Sequence, residues 1–157
     1  YQALYNNDTG GDNTATGVLA LFSNTTGFHN TANGLQALLT NTTGSENTAI
    51  GVNALAFNTV GGSNTATGFD ALLSNTTGGA NSAFGSSALA NHATGNYNNA
   101  FGQSALFSDT SGNYNNAFGF SALSSNTGSG NTAIGDLAGS SLTTGSDNVC
   151  IGHVVFG

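Results

Sequence analysis

The sequence predicts an all-β fold, a parallel β-solenoid or β-roll of about nine 17-residue coils. Three observations predict it. The pattern Asn-x-Ala/Cys-x-Gly recurs nine times, starting at Asn13, Asn30, Asn47, Asn64, Asn81, Asn98, Asn115, Asn131 and Asn148. Each step is 17 residues, except the 16 between Asn115 and Asn131. An Ala-Leu pair keeps register with that beat, from Ala3-Leu4 through Ala122-Leu123. Gly and Asn interrupt the chain too often for a stable helix. A short fixed period means one unit stacked on itself, not a fold around one central core.

Each recurring Asn is counted as position 1 of its coil. Position 3 is Ala in eight coils and Cys150 in the last, and position 5 is always Gly. Ala and Leu stand at positions 8 and 9, and positions 12 to 15 form an Asn-Thr-Thr-Gly turn, as in Asn24–Gly27. This pattern predicts two short extended segments and two tight corners per coil. Side chains alternate along a strand, so positions 1, 3 and 5 share one side, and their small residues suit a narrow interior. Leu at position 9 supplies the bulky constant apolar group. Gly at positions 5 and 15 permits positive φ or close backbone approach. Cys150 has no partner for an internal disulfide and reads as a small buried thiol.

Stacked coils place like positions above one another at about 4.8 Å. The nine position-1 asparagines then form a structural ladder of amides, each bonded to its neighbours above and below. Thr at positions 2, 13 and 14 would form hydroxyl rows. Nine coils give a rod of about 43 Å. A buried Leu contributes about 1.5–3 kcal/mol, whereas ordering a backbone costs about 1–2 kcal/mol per residue. One Leu and two Ala per coil cannot offset that cost, so inter-coil hydrogen bonds and burial against another chain are expected to contribute. The apolar residues at positions 4, 6 and 10, among them Ile50, Phe84, Phe101, Phe118, Val52, Phe69 and Phe22, either form that second surface or fill the coil's own interior. The sequence leaves both open.

Length allows a single repeat domain spanning residues 1–157. With no Lys or Arg and a net charge of −7, phosphate neutralisation and a basic membrane-surface patch are both disfavoured. No apolar run reaches the roughly 20 residues needed to cross a bilayer. The chain starts and stops inside a repeat, which reads as a processed chain or a fragment of a longer repeat protein. Tyr1, Ala3 and Leu4 at one end, and Val154, Val155 and Phe156 at the other, are the expected self-assembly ends, because uncapped strand edges invite pairing.

Residues for chemistry are sparse. His29, His92 and His153 occupy three different positions of the repeat, so no metal cluster is expected. Asp12, Glu46 and Asp147 share position 17 but stand coils apart, and no His-Asp pair is placed beside any Ser. The Gly-rich corners lack the Lys of a phosphate loop. No enzyme activity, cofactor or metal is expected. Asn7, Asn24, Asn41 and Asn75 each begin Asn-x-Thr, and a line of glycans down an exposed corner is the expectation they raise. Ordinary turn chemistry explains the same residues.

Asn47-Thr48-Ala49-Ile50-Gly51 and Asn131-Thr132-Ala133-Ile134-Gly135 resemble the head repeats of trimeric autotransporter adhesins, and the NTAIG-type repeats of phage-tail-fibre-like and other bacterial surface proteins. The resemblance covers essentially the whole chain. It implies a left-handed parallel β-roll, three chains side by side, and attachment to cells or matrix. The expected function is a structural subunit of an extracellular or cell-surface bacterial fibre. It would polymerise with itself head to tail, as a trimeric or helical homopolymer, with biofilm among its settings. An adhesin-type head that binds glycans or a host or matrix surface is the alternative. An ice-binding solenoid ranks last: Thr14/Thr16 and Thr65/Thr67 fit a Thr-x-Thr face, but Ile50, Phe84, Phe101 and Phe118 interrupt it.

Overall fold

A computed structural model describes residues 2–154. Tyr1, Val155 and Phe156, three of the expected assembly-end residues, lie outside the described residues. Nine strands run β1 Thr14–Thr16, β2 Thr31–Asn33, β3 Thr48–Ile50, β4 Thr65–Thr67, β5 Ser82–Phe84, β6 Asn99–Phe101, β7 Asn116–Phe118, β8 Thr132–Ile134 and β9 Val149–Ile151. They form one parallel sheet in strict chain order, each strand beside the next. The register carries position 3 onto position 3 throughout, from Ala15 against Ala32 to Ala133 against Cys150. The chain is a β-solenoid, as its period requires.

Only positions 2 to 4 form a strand; the second extended segment expected in each coil is a series of turns instead. The cause is left-handed backbone at positions 7, 9 and 17, as at Gln36 (φ 59°), Leu38 (φ 52°) and Glu46 (φ 62°). A non-glycine residue in that region costs about 1–2 kcal/mol. Leu accepts it at position 9 because its side chain becomes fully buried and its N–H still finds a partner. Leu38 N donates to Ala54 O at 3.0 Å, and Leu55 N to Ala71 O at 3.0 Å.

The turns are tied across coils as firmly as the strands. Positions 2, 9, 11 and 13 donate to the following coil, as in Thr31 N to Asn47 O (2.8 Å) and Thr42 N to Thr59 O (2.9 Å). Positions 5, 7 and 17 donate to the preceding coil, as in Gly51 N to Asn33 O (2.9 Å) and Glu46 N to Phe28 O (3.0 Å). The Thr hydroxyls at position 13 do not bond one another; Thr42 Oγ1 donates to Thr59 O at 3.0 Å and Thr59 Oγ1 to Thr76 O at 2.9 Å. The glycines divide the two tasks expected of them. Those at position 5 hold φ between +123° and +150°, whereas those at position 15 admit the backbone of the next coil.

The core is a thin column of Ala at positions 3 and 8 and Leu at position 9, with Cys150 buried at its end. The single 16-residue step omits position 14, because Thr127 N still reaches Thr143 O and Gly128 O still receives Asn115 Nδ2. The next coil exchanges its apolar residue: Gly139 (φ 62°) stands at position 9, and Leu142 packs against the core from position 12. The residues of positions 4 and 6 do not fill the interior. Phe101 is 37 % and Phe69 54 % exposed, and Phe84, Phe101 and Phe118 stack on the outside with centroids 4.7 and 5.0 Å apart.

Candidate functional site

The constellation that distinguishes this interior is a pair of amide ladders, one running the length of the rod and the other its first half. The first is built from the nine position-1 asparagines. Each backbone N–H donates to the side-chain oxygen of the preceding coil's Asn, for example Asn47 N to Asn30 Oδ1 and Asn64 N to Asn47 Oδ1, both 3.0 Å. Each Nδ2 up to Asn131 donates within its own coil to the carbonyl of position 15, as Asn64 Nδ2 does to Gly78 O at 2.8 Å. Asn30, Asn47, Asn64, Asn81, Asn98, Asn115 and Asn131 are fully buried. At the two ends, Asn13 Nδ2 donates to Gly27 O (2.7 Å), whereas Asn148 Nδ2 donates to Asn131 Oδ1 and Ser146 O, each at 3.0 Å.

The second ladder stands at position 12. Asn24 Nδ2 donates to Asn7 Oδ1 (2.7 Å), Asn41 to Asn24 (2.8 Å), Asn58 to Asn41 (2.7 Å) and Asn75 to Asn58 (2.7 Å). The same nitrogens also bond the position-15 carbonyl of their own coil. Gly44 O therefore receives two amides, Asn30 Nδ2 and Asn41 Nδ2, each at 2.9 Å. A buried carbonyl with both lone pairs occupied avoids the desolvation cost of an unpaired polar group.

This overturns the expectation of glycans on an exposed corner. Asn24, Asn41 and Asn75 are fully buried, and Asn7 is half-buried. The turn directs the position-12 side chain inward because two acceptors lie there, the glycine carbonyl three residues on and the amide oxygen of the coil before. The nitrogen that would carry a sugar is committed twice. Intact mass of the folded chain is expected to show all of Asn24, Asn41 and Asn75 bare; a glycan on Asn41 would contradict this placement.

Beyond Asn75 the second ladder changes chemistry. His92, Asp109, Asn126 and Leu142 hold its next four positions. His92 Nδ1 lies 3.4 Å from Asp109 Oδ2, and both side chains are fully buried. Asp109 Oδ1 accepts from Gly112 N (2.7 Å) and Ser111 N (3.3 Å). Asn75 Oδ1, His92 Nδ1 and Asp109 Oδ2 lack a well-formed hydrogen bond, and all three sit at this junction. Reading the histidines as scattered misses that His92 and Asp109 occupy position 12 of neighbouring coils; counting from Asn81 and Asn98 finds the pair. No Ser hydroxyl bonds to either side chain, so the pair forms no nucleophilic arrangement.

The other acidic residues stay outside. Asp12 and His29 meet at 3.4 Å on the surface, more than half exposed, where an ion pair contributes little. Glu46 accepts from Ser63 Oγ at 2.9 Å. Among the assembly-end residues, Ala3 is exposed, Leu4 packs against the core with its N–H on Ala20 O (3.1 Å), and Val154 N reaches Asp136 O (3.1 Å). Among the described residues there is no pocket, no group of three side chains able to hold a metal ion, and no helix long and apolar enough to cross a membrane. No protein-family model matches the chain, and neither a curated protein nor a solved structure matches it at significant similarity.

Proposed function

We propose that the chain is a structural subunit of an extracellular fibre that grows by stacking coil upon coil. The observation that carries this reading is the polarity of the interior. Throughout the first ladder, and from Asn7 to Asn58 in the second, each side-chain oxygen accepts from the following coil, and the donors that answer it point back. The backbone repeats the rule, with positions 2, 9, 11 and 13 donating one way and positions 5, 7 and 17 the other. The two axial faces of a coil with Asn at positions 1 and 12 are thus complementary to each other. Such a contact is heterologous and open, which generates filaments rather than closed rings. The extracellular setting rests on the resemblance to bacterial surface repeats.

An adhesin-type binding head is the second reading. The outward Phe84–Phe101–Phe118 stack and the neighbouring Tyr97–Tyr114 stack (centroids 5.2 Å apart) favour it, since exposed aromatic rows suit a partner. The rings lie nearly parallel along the axis, so they offer edges rather than faces. The test is electron microscopy of the purified chain over a wide concentration range. Filaments lengthening with concentration are the expected result. Discrete particles at every concentration would reject the fibre and leave the head.

A further inference from the structure

Position 5 is Gly in every coil, so an Asn at position 4 creates an Asn-Gly step. That happens once. Asn33-Gly34 is the sole Asn-Gly dipeptide of the chain, and Asp-Gly does not occur. Asn-Gly is the dipeptide most prone to cyclise, because a glycine without a Cβ leaves its nitrogen open to the neighbouring side-chain carbonyl. Asn33 is exposed on β2 and its side chain makes no hydrogen bond, unlike the asparagines of the two ladders. The peptide plane that joins it to Gly34 is held from both sides. Gly34 N donates to Thr16 O of the preceding coil (2.8 Å), and Asn33 O accepts from Gly51 N of the following coil (2.9 Å).

We propose that Asn33 is a self-modification site that reacts only when β2 leaves the sheet, and that its isoaspartyl product keeps β2 from returning. The only co-reactant is water. Gly34 N gives up its proton to hydroxide and attacks Cγ of Asn33. The Cγ–Nδ2 bond breaks and ammonia leaves, which gives a cyclic imide. Water then opens the imide on one of two sides. Cleavage between Gly34 N and Cγ leaves an aspartyl residue. Cleavage between Gly34 N and the backbone carbonyl carbon leaves an isoaspartyl link, with the chain running through Cβ and Cγ. In the closed rod Gly34 N is committed to Thr16 O. Ring closure turns the peptide plane out of its strand orientation, so it also pulls Asn33 O away from Gly51 N. Both neighbours must therefore let go. Coils in a solenoid contact only their neighbours, which lets β2 separate while the rest of the rod stays closed. The two products differ in fit. An aspartyl side chain stays in solvent where Asn33 stood. An isoaspartyl link adds a backbone carbon between positions 4 and 5, where Gly34 (φ 150°) already lies so close to Gly51 that a Cβ would stand 2.6 Å from its carbonyl carbon. The lengthened chain has no room there.

The test holds the wild-type chain at pH 8, folded in buffer and unfolded in guanidinium chloride. Samples are digested with chymotrypsin, since the chain offers trypsin no Lys or Arg, and the peptides are weighed. In the unfolded chain Asn33 is expected to convert ahead of every other Asn. In the folded chain its conversion is expected to be about a hundredfold slower or more, because only the opened fraction reacts. Equal rates in the two samples, or a ladder asparagine converting first in the unfolded chain, would overturn the site. The unfolded, modified chains are then separated into aspartyl and isoaspartyl forms and returned to buffer beside the variant Asn33→Asp. The aspartyl form and the variant are expected to regain slow hydrogen exchange at the Gly34 and Gly51 amides, and the isoaspartyl form to leave both fast. Full protection in the isoaspartyl form, or its loss in Asn33→Asp, would overturn the block on return.

Discussion

Gly61→Ala is expected to destabilise the rod by about 4 kcal/mol, a loss at the extreme of single substitutions. A Cβ at this site would run into the carbonyl oxygen of Gly78 in the next coil and stand 2.5 Å from Asn58 Oδ1. Neither neighbour can retreat cheaply. Gly78 O is held by Asn64 Nδ2 (2.8 Å) and Asn75 Nδ2 (3.0 Å), and Asn58 Oδ1 receives Asn75 Nδ2 (2.7 Å). Moving that carbonyl breaks both ladders together. Urea denaturation measures the loss. Gly11→Ala is the control, because a Cβ there meets nothing within 4 Å, and it is expected to change stability by less than about 0.5 kcal/mol.

Asn64→Ala is expected to cost about 3 kcal/mol by the same measurement. The substitution leaves Asn81 N without its acceptor at 3.0 Å and removes the donor that Asn64 extends to Asn47 Oδ1 (3.1 Å). It also takes one of two donors from Gly78 O. Each buried group left unpaired costs about 1–3 kcal/mol, and the fully buried site admits no water without rearrangement. Asn33→Ala separates this from an effect of asparagine as such. Asn33 is exposed on β2 and its side chain makes no hydrogen bond, so its loss is expected to be nearly neutral.

The period of the sequence made the fold legible. Ala15, Ala32 and their successors, the Leu series and the position-1 asparagines all sit where a stacked coil requires them, because a structure that repeats must repeat its side chains. The sequence was less legible where one residue type serves two ends. Asn at position 12 suits an exposed turn and an inward ladder alike, and nothing in Asn-Thr-Thr-Gly says which way the amide points. The deciding factor, the glycine carbonyl presented three residues later, exists only once the turn has folded. The second strand was lost for a related reason. Leu21 and Leu38 look like strand residues, yet the narrow interior admits them only from left-handed backbone. The His92–Asp109 pair lay in plain view of the period, but it stands out only after position 12 is known to face inward.

Fibre diffraction from aligned filaments of the purified chain tests the central claim most directly. Coils stacked along the fibre axis predict a meridional reflection at about 4.8 Å, the spacing between neighbouring strands. A reflection of that spacing on the equator, or a preparation that never forms filaments to align, would contradict it.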